Sequence, residues 1–291
     1  MFQRRFALAA IALFAVFAAV ILGAGEVLSR PALRLIGAPP PDFPAQIVRL
    51  ETGPGQFVAG WFLRGQPARG AVLLLHGVRS NRTQMLGRAR FLAQAGYTTL
   101  LLDLPGHGES SGERITLGAK EAAGAAAGVD FLRHQLPGER IGVVGVSLGA
   151  ASAVLANTRP ALSAAVLESM YPTIEEAVAN RLAMRLTWVG AQLAPLLLWQ
   201  LPLRVGVSAD ELRPIQKIAA LGSPLLVASG AEDRHTTWAE TLRLYDAAAQ
   251  PKELWRVEGA AHVDLHAYQP AEYQRRVLRF LAKHLRDEGP S

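Results

Sequence analysis

The sequence contains no cysteine among its 291 residues. A chain without thiols cannot form disulfides, bind a metal through thiolates or use a cysteine nucleophile. Long runs of Lys or Arg are also absent and the net charge of +6 is spread along the chain, so we expect no nucleic-acid partner. The sequence has neither a P-loop pattern nor a dinucleotide fingerprint, and no set of metal ligands is evident, so we expect no cofactor and no metal.

Only one long apolar run is present. Phe6 to Gly25 carries no charge and lies between the pair Arg4 and Arg5 and the following Glu26. About twenty apolar residues span a bilayer as a helix, so residues 1–25 are predicted to be a transmembrane anchor or a signal peptide. The length of the run favours a retained anchor, and the N-terminal arginines favour an extracytoplasmic main domain. Cleavage would instead give a secreted or periplasmic protein.

The rest of the chain divides by composition. Residues 26–44 are proline-rich and predict a semi-extended linker that holds the next domain away from the membrane. Residues 45–288 alternate apolar, β-rich runs with amphipathic helical segments, a pattern typical of a doubly wound α/β domain with a mostly parallel sheet. The predicted strands are Phe57–Leu63, Ala71–Leu75, Thr98–Leu102, Ile141–Val146, Ala164–Leu167, Leu225–Ser229 and Leu254–Val257.

The alternation breaks between about residues 170 and 221. This stretch contains two tryptophans, the run Leu196 to Leu198 and two prolines, without an evident strand. We predict a helical cap inserted into the α/β domain. Its apolar residues indicate either a hydrophobic substrate or simple packing of the cap onto the body.

Gly145-Val146-Ser147-Leu148-Gly149 fits the G-x-S-x-G nucleophile elbow. It follows an apolar strand and precedes a helical segment, which is the context that this motif requires. Ser147 is therefore the candidate nucleophile. The alternative is a Gly- and Ser-rich turn between a strand and a helix with no activity.

A serine hydroxyl needs a base that removes its proton, and that base needs an acid to orient it. Asp233 and His262 each follow a predicted strand, and their order after Ser147 is that of the Ser-Asp-His triad in α/β folds. Glu232 and Asp264 are alternative acids, and His235 and His266 are weaker candidates for the base. Asp233 could instead cap the helix that follows it.

An acyl-transfer intermediate needs preorganised N–H donors for its oxyanion. Leu148, directly after the nucleophile, is expected to provide one, and Val78, in the loop after the strand Ala71–Leu75, the other. His76 at the end of that strand is expected to brace the loop rather than act as a second base. Asp103 and His107 in a further Gly-rich loop are expected to shape the pocket wall through hydrogen bonds.

These motifs together resemble those of the α/β-hydrolase superfamily over roughly residues 45–285, and most closely the N-terminally anchored Bem46-like hydrolases. The resemblance rests on the oxyanion turn at Leu75 to Gly77, the segment Asp103 to Ser110, the elbow, and the turns that end in Asp233 and His262. It implies an eight-stranded sheet with helices on both faces, a helical cap and a two-step acyl-enzyme mechanism. The sequence departs from the family at Pro105 and at the Arg234-His235-Thr236 segment.

The sequence therefore predicts a serine hydrolase of carboxylic esters or thioesters. The expected partners are a small-molecule or lipid-like ester substrate and the membrane that the N-terminal segment enters. A peptidase or amidase with the same triad and a non-catalytic binding protein are the alternatives. A dehalogenase is excluded because its elbow would need a carboxylate where Ser147 stands.

Overall fold

An eight-stranded, mostly parallel sheet forms the centre of the protein in this computed structural model, which describes residues 2–286. Its order is β10-β9-β8-β7-β4-β5-β3-β2, and only the β2/β3 and β3/β5 pairs are antiparallel. β1 and β6 form a separate parallel pair. The strands are β1 (Ala32–Leu33), β2 (Gln46–Gly53), β3 (Gln56–Leu63), β4 (Ala71–Leu75), β5 (Thr98–Leu102), β6 (His107–Gly108), β7 (Ile141–Val146), β8 (Ala164–Glu168), β9 (Leu225–Gly230) and β10 (Lys252–Val257).

Helices cover both faces of the sheet. α3 and α4 contribute to one apolar core and α2 and α10 to the other, and the central strands β4, β5 and β7 are buried on both sides. The helices are α1 (Phe2–Ser29), α2 (Leu86–Gln94), α3 (Ala119–Gln135), α4 (Leu148–Ala156), α5 (Ile174–Ala191), α6 (Ala194–Leu198), α7 (Leu201–Val205), α8 (Trp238–Ala247), α9 (Leu265–Tyr268) and α10 (Pro270–Leu285).

The predicted α/β architecture is confirmed, and all seven predicted strands are present. β2, one of the two edge strands of the sheet, was not predicted, and neither were the two-residue strands β1 and β6. Most side chains of β2 are exposed on both faces and only Leu50 is buried, so its sequence lacks the apolar run that marks the central strands. An edge strand pairs on one side only and can therefore remain polar.

The predicted cap is present between β8 and β9. It consists of α5, α6 and α7, followed by three short 3₁₀ turns at Ala209–Leu212, Pro214–Gln216 and Ala219–Leu221. Its first helix is tied to the body, since the Asn180 side-chain amide donates hydrogen bonds to the His235 carbonyl at 3.2 Å and to Glu240 at 2.7 Å.

The proline-rich segment lies against the body instead of standing free as a spacer. The Ala32 N–H donates to the Gly106 carbonyl at 2.8 Å, and Phe43 is buried. The Glu109 carboxylate accepts hydrogen bonds from the Ile36 and Gly37 N–H groups at 2.9 and 2.8 Å. The proline pattern indicated extended backbone, but these partners are distant in sequence and left no local signal. The division into residues 1–25, 26–44 and 45–288 stays a prediction.

Within the described residues, Gln3–Ser29 forms one helix that is long and apolar enough to cross a membrane. Its position near the N-terminus fits a membrane anchor or a signal sequence. In the cap, α5 and the α6–α7 segment are long and apolar enough to cross a membrane only if they are taken as one span, and the chain bends by 114° between them.

Candidate active site

Ser147 lies at the sharp turn between β7 and α4. Its backbone has φ 50° and ψ −108°, a conformation that a non-glycine residue rarely adopts, and its N–H donates to the Glu168 carbonyl at 2.8 Å. A Cβ at Gly145 would lie 2.6 Å from the backbone nitrogen of Ala150, and one at Gly149 would lie 2.3 Å from the carbonyl oxygen of Leu75. The turn therefore requires both glycines of the motif, and it holds Ser147 at the carboxyl edge of the sheet.

Asp233 and His262 come together at the same edge. His262 Nδ1 lies 2.7 Å from Asp233 Oδ2, and the Asp233 side chain is fully buried while that of His262 is 23% exposed. Asp233 Oδ1 accepts the His235 and Thr236 N–H groups at 2.8 and 2.9 Å, and Oδ2 accepts the Thr236 hydroxyl at 2.9 Å. Within residues 2–286 the Ser147 hydroxyl itself makes no hydrogen bond, to His262 or to any other group.

These contacts determine the charge of Asp233. Burial raises the pKa of this carboxyl group. The hydrogen bond and charge of His262 and the bonds from Thr236 lower it by more than burial raises it, so the pKa of Asp233 lies below its usual value. An ionised Asp233 accepts the Nδ1–H of His262. The ring is then held in the tautomer whose Nε2 can accept a proton.

The alternative acids are placed differently. Glu232 is exposed, whereas Asp233 is buried. Asp264 pairs with Arg88 at 2.8 Å and accepts the Ala267 N–H at 3.0 Å, which caps α9. Neither carboxylate contacts the His262 ring, so Asp233 is the acid that the geometry favours.

His235 is next to the candidate base. Its ring stacks on that of His262 with the ring centroids 4.7 Å apart and the planes tilted by 37°. The pKa of His235 lies below its usual value, mainly because the ring is buried and to a lesser extent because of the charge of His262. A neutral His235 can cover one face of the His262 ring without electrostatic repulsion. His266 is instead occupied beside Phe91 and Gln274, away from this pair.

Of the two predicted oxyanion donors, Val78 lies in the loop after β4 and Leu148 is the first residue of α4. Within the described part of the chain, the backbone N–H groups of Val78 and Leu148 donate no hydrogen bond. The loop is held in place by the Gly77 N–H, which donates to Gln84 Oε1 at 2.8 Å, and by His76. An unengaged N–H group can stabilise negative charge, and that of Leu148 directly follows Ser147 in the chain.

The predicted bracing role of His76 is confirmed. Nδ1 lies 2.7 Å from the Gly77 carbonyl oxygen, and Nε2 accepts the Leu104 N–H at 3.0 Å. These two partners require the tautomer that carries its proton on Nδ1. Burial is the main cause that lowers the pKa of His76 to about 3, so the ring is a weak base. Its Nε2 lone pair is also engaged by the Leu104 N–H, so His76 is not placed to act as a second base.

Asp103 also has the expected local role. It is fully buried, forms an ion pair with the Arg82 side chain and accepts the Arg82 and Glu109 N–H groups at 2.6 and 2.9 Å. His107 packs edge-on against His76, with 5.1 Å between the ring centroids. Among residues 2–286 no group of three or more His, Asp or Glu side chains is placed to hold a metal ion.

Sequence reasoning missed a buried polar cluster beneath the elbow. Glu168, at the end of β8, pairs with Arg88 at 2.6 Å, and Tyr273 donates its hydroxyl to the same carboxylate. Arg88 extends the cluster to Asp264, two residues after His262. The cluster therefore joins the strand that supports Ser147 to the loop that carries His262. Its members are up to 185 residues apart in the chain, and only the charge at the end of the apolar strand β8 could have pointed to it.

The parallel sheet, the strained elbow and the helical cap together define an α/β hydrolase. A family model described as serine aminopeptidase, S33, matches residues 66–213, and the chain belongs to this family. The comparisons support hydrolase chemistry in general, and the assignment of individual site residues rests on the geometry above.

Relatives and solved structures agree with this membership. The uncharacterized protein Rv2307c of Mycobacterium tuberculosis is 32% identical over 241 residues, which cover 81% of this chain and 79% of that protein. The uncharacterized protein YqkD of Bacillus subtilis is 25% identical over 78% of this chain and 76% of its own length. The structure of the Pyrococcus furiosus esterase Pf2001 is similar with a TM-score of 0.72 and 25% identity, and the match covers 89% of this chain and 98% of that one.

Proposed function

We propose that the protein is a serine hydrolase that cleaves carboxylic ester or thioester bonds through an acyl-enzyme intermediate. The observation that carries the proposal is the 2.7 Å contact between His262 and Asp233 at the sheet edge where the strained elbow presents Ser147. A binding protein would not require a costly backbone conformation at a serine on the same sheet edge as an oriented histidine. The similarity to an esterase structure adds support.

In this mechanism His262 Nε2 removes the proton from the Ser147 hydroxyl as Oγ attacks the substrate carbonyl carbon. The Val78 and Leu148 N–H groups donate hydrogen bonds to the resulting oxyanion. The intermediate collapses, the bond to the leaving oxygen or sulfur breaks, and His262 gives its proton to the leaving group. Water then attacks the acyl-enzyme as His262 takes its proton, and the second intermediate collapses as His262 returns that proton to Ser147 Oγ, which releases the carboxylic acid. Asp233 stabilises the imidazolium in both steps.

The substrate that we propose carries a hydrophobic acyl group. The cap, whose first helix bonds through Asn180 to the loop after Asp233, is rich in apolar residues such as Leu196, Leu197 and Leu198. Retention of α1 as a membrane anchor, with an extracytoplasmic catalytic domain, would place the site near lipid. Export after cleavage of α1 is the second possibility, and the likeness to Bem46-like hydrolases stays part of this proposal.

A peptidase or amidase is the second candidate, because the matched family model is described as a serine aminopeptidase. The same triad would serve, but His262 would then protonate an amine. Parallel assays of p-nitrophenyl esters of increasing chain length and of aminoacyl p-nitroanilides distinguish the two. Turnover of the esters with no measurable release of p-nitroaniline supports the esterase proposal, and turnover of the aminoacyl p-nitroanilides supports the peptidase.

The direct test is labelling of the full-length protein in detergent by a fluorophosphonate, which reacts with activated serines. We expect labelling and ester turnover in the wild-type protein and neither in Ser147→Ala. Ser223→Ala is a matched control, since Ser223 is also buried but precedes β9, at the opposite edge of the sheet. Labelling that persists in Ser147→Ala, or a folded wild-type protein that is neither labelled nor active, would contradict the proposal.

A further inference from the structure

The apolar helix α1 leaves the body of the protein at the cap. Nearly all of residues 3–20 are exposed, whereas Gly25 and Ser29, near the end of the helix, are buried. The cap holds this end: the Gln200 side chain donates to the Ile21 carbonyl at 3.0 Å, and Arg204 pairs with Glu26 at 2.8 Å. A bilayer that surrounds the exposed part of α1 would therefore begin close to α6 and α7.

Next to this point the cap carries an unusual concentration of exposed apolar side chains. Trp188 is 76% exposed, Trp199 68% and Leu203 77%. Large contiguous apolar patches are rare on the surfaces of soluble proteins and mark contact with a partner or a membrane. We call this the cap apolar surface, and it consists of Leu186, Trp188, Val189, Leu196, Trp199 and Leu203.

The shape of the cap suits a segment that lies along a membrane surface. The backbone of α5 is not helical at Leu186 and Thr187, where Thr187 has φ 60°, and the chain bends by 114° between α5 and the α6–α7 segment. Both α6 and α7 are only five residues long and have a proline in their first turn. Neither α6 nor α7 is long enough to cross a bilayer by itself, but such short helices can expose apolar side chains to its interfacial region.

We propose that the cap apolar surface inserts into the interfacial region of the same bilayer that α1 enters. Continuity with α1 is the reason to choose lipid as the occupant, because the two apolar surfaces meet where the helix joins the cap. Trp side chains favour the membrane interface, and the exposed Arg30, Arg34 and Arg185 lie on segments next to this boundary, where they can contact anionic headgroups. This inference depends on α1 entering a membrane and not on the catalytic chemistry.

The same arrangement brings the candidate active site to the membrane. Arg79, directly after the proposed oxyanion donor Val78, donates to the Val27 carbonyl at the end of α1. In the cap, Asn180 of α5 donates to the His235 carbonyl in the loop of the candidate acid Asp233. The same helix continues along the chain to the exposed Trp188.

The absence of cysteine makes a direct test possible. A single nitroxide is attached to Leu203→Cys or Trp199→Cys in the full-length protein, reconstituted into vesicles of phosphatidylcholine and phosphatidylglycerol. Ala249→Cys is the control, because this exposed residue precedes β10 at the sheet edge opposite the elbow. Power-saturation spectra measure access of each nitroxide to oxygen, which concentrates in lipid, and to a water-soluble nickel chelate.

We expect the ratio of oxygen access to nickel access to be at least several-fold higher at both cap positions than at Ala249. Ratios at Leu203 and Trp199 equal to that at Ala249 would place the cap in water and overturn the proposal. Spin–spin broadening that disappears on dilution with unlabelled chain, with low access to both reagents, would show that a second copy of the protein covers the surface and would overturn it as well.

Discussion

Acid should destabilise the fold through His76. The unfolded chain binds a proton at this residue near the ordinary histidine pKa of 6.5, whereas burial lowers the pKa in the fold to about 3. Between these values the unfolded state binds more protons, so stability that is present above pH 6.5 is lost as the pH falls towards 3. The structural reason is that a second proton would lie on Nε2, which already accepts the Leu104 N–H.

The size of the effect follows from the same values. One pKa unit corresponds to about 1.4 kcal/mol, so His76 alone should lower the free energy of unfolding by roughly 2 kcal/mol between about pH 6.5 and pH 4.5. The assay is urea unfolding of the full-length protein in detergent, followed by tryptophan fluorescence across this pH range. His76→Gln removes the titrating group, so its stability should fall less steeply with acid by about the same roughly 2 kcal/mol.

His134→Gln is the matched control, since His134 is exposed on α3. Its pH dependence should follow that of the wild-type protein, which also contains the contributions of the other titrating groups. Curves for His76→Gln and wild type that run parallel between pH 6.5 and pH 4.5 would refute the reasoning, because His76 would then titrate equally in the folded and unfolded states.

Two further substitutions test the site and its support. Asp233→Asn should lower kcat by roughly 10⁴-fold with a smaller change in KM, because a carboxamide favours the wrong tautomer of His262. Steady-state ester hydrolysis measures this, and a loss below about tenfold would argue that Asp233 only caps its loop. Arg82→Met should cost about 3 to 5 kcal/mol of unfolding free energy, because it leaves the buried Asp103 carboxylate without its cation. Urea unfolding at neutral pH checks this, and a stability within about 1 kcal/mol of wild type would contradict it.

The fold was largely predictable because its central elements have local signals. β4 and β7 are continuous apolar runs, and the elbow motif stands between β7 and α4 as the pattern required. β2 could not be predicted, since an edge strand with exposed side chains has no such run. The linker was predicted to be extended, but its contact with Glu109 depends on a residue more than seventy positions away.

The candidate site divides in the same way. Ser147, Asp233 and His262 were predicted from their positions after strands, because a parallel sheet brings all its carboxyl ends to one edge. The sequence already favoured Asp233 over Asp264, but the side-chain partners of the two carboxylates, His262 for Asp233 and Arg88 for Asp264, appear only in the structure.

The sequence alone determined the class of fold, the apolar N-terminal helix and the type of chemistry, because backbone periodicity, residue polarity and short motifs act over a few residues. Tertiary structure decided which groups are buried together: the cluster around Glu168 beneath the elbow, the bond from Arg79 to the end of α1 and the cap apolar surface beside it. Contacts between residues far apart in the chain form only when the sheet and its helices are assembled, so no local pattern records them.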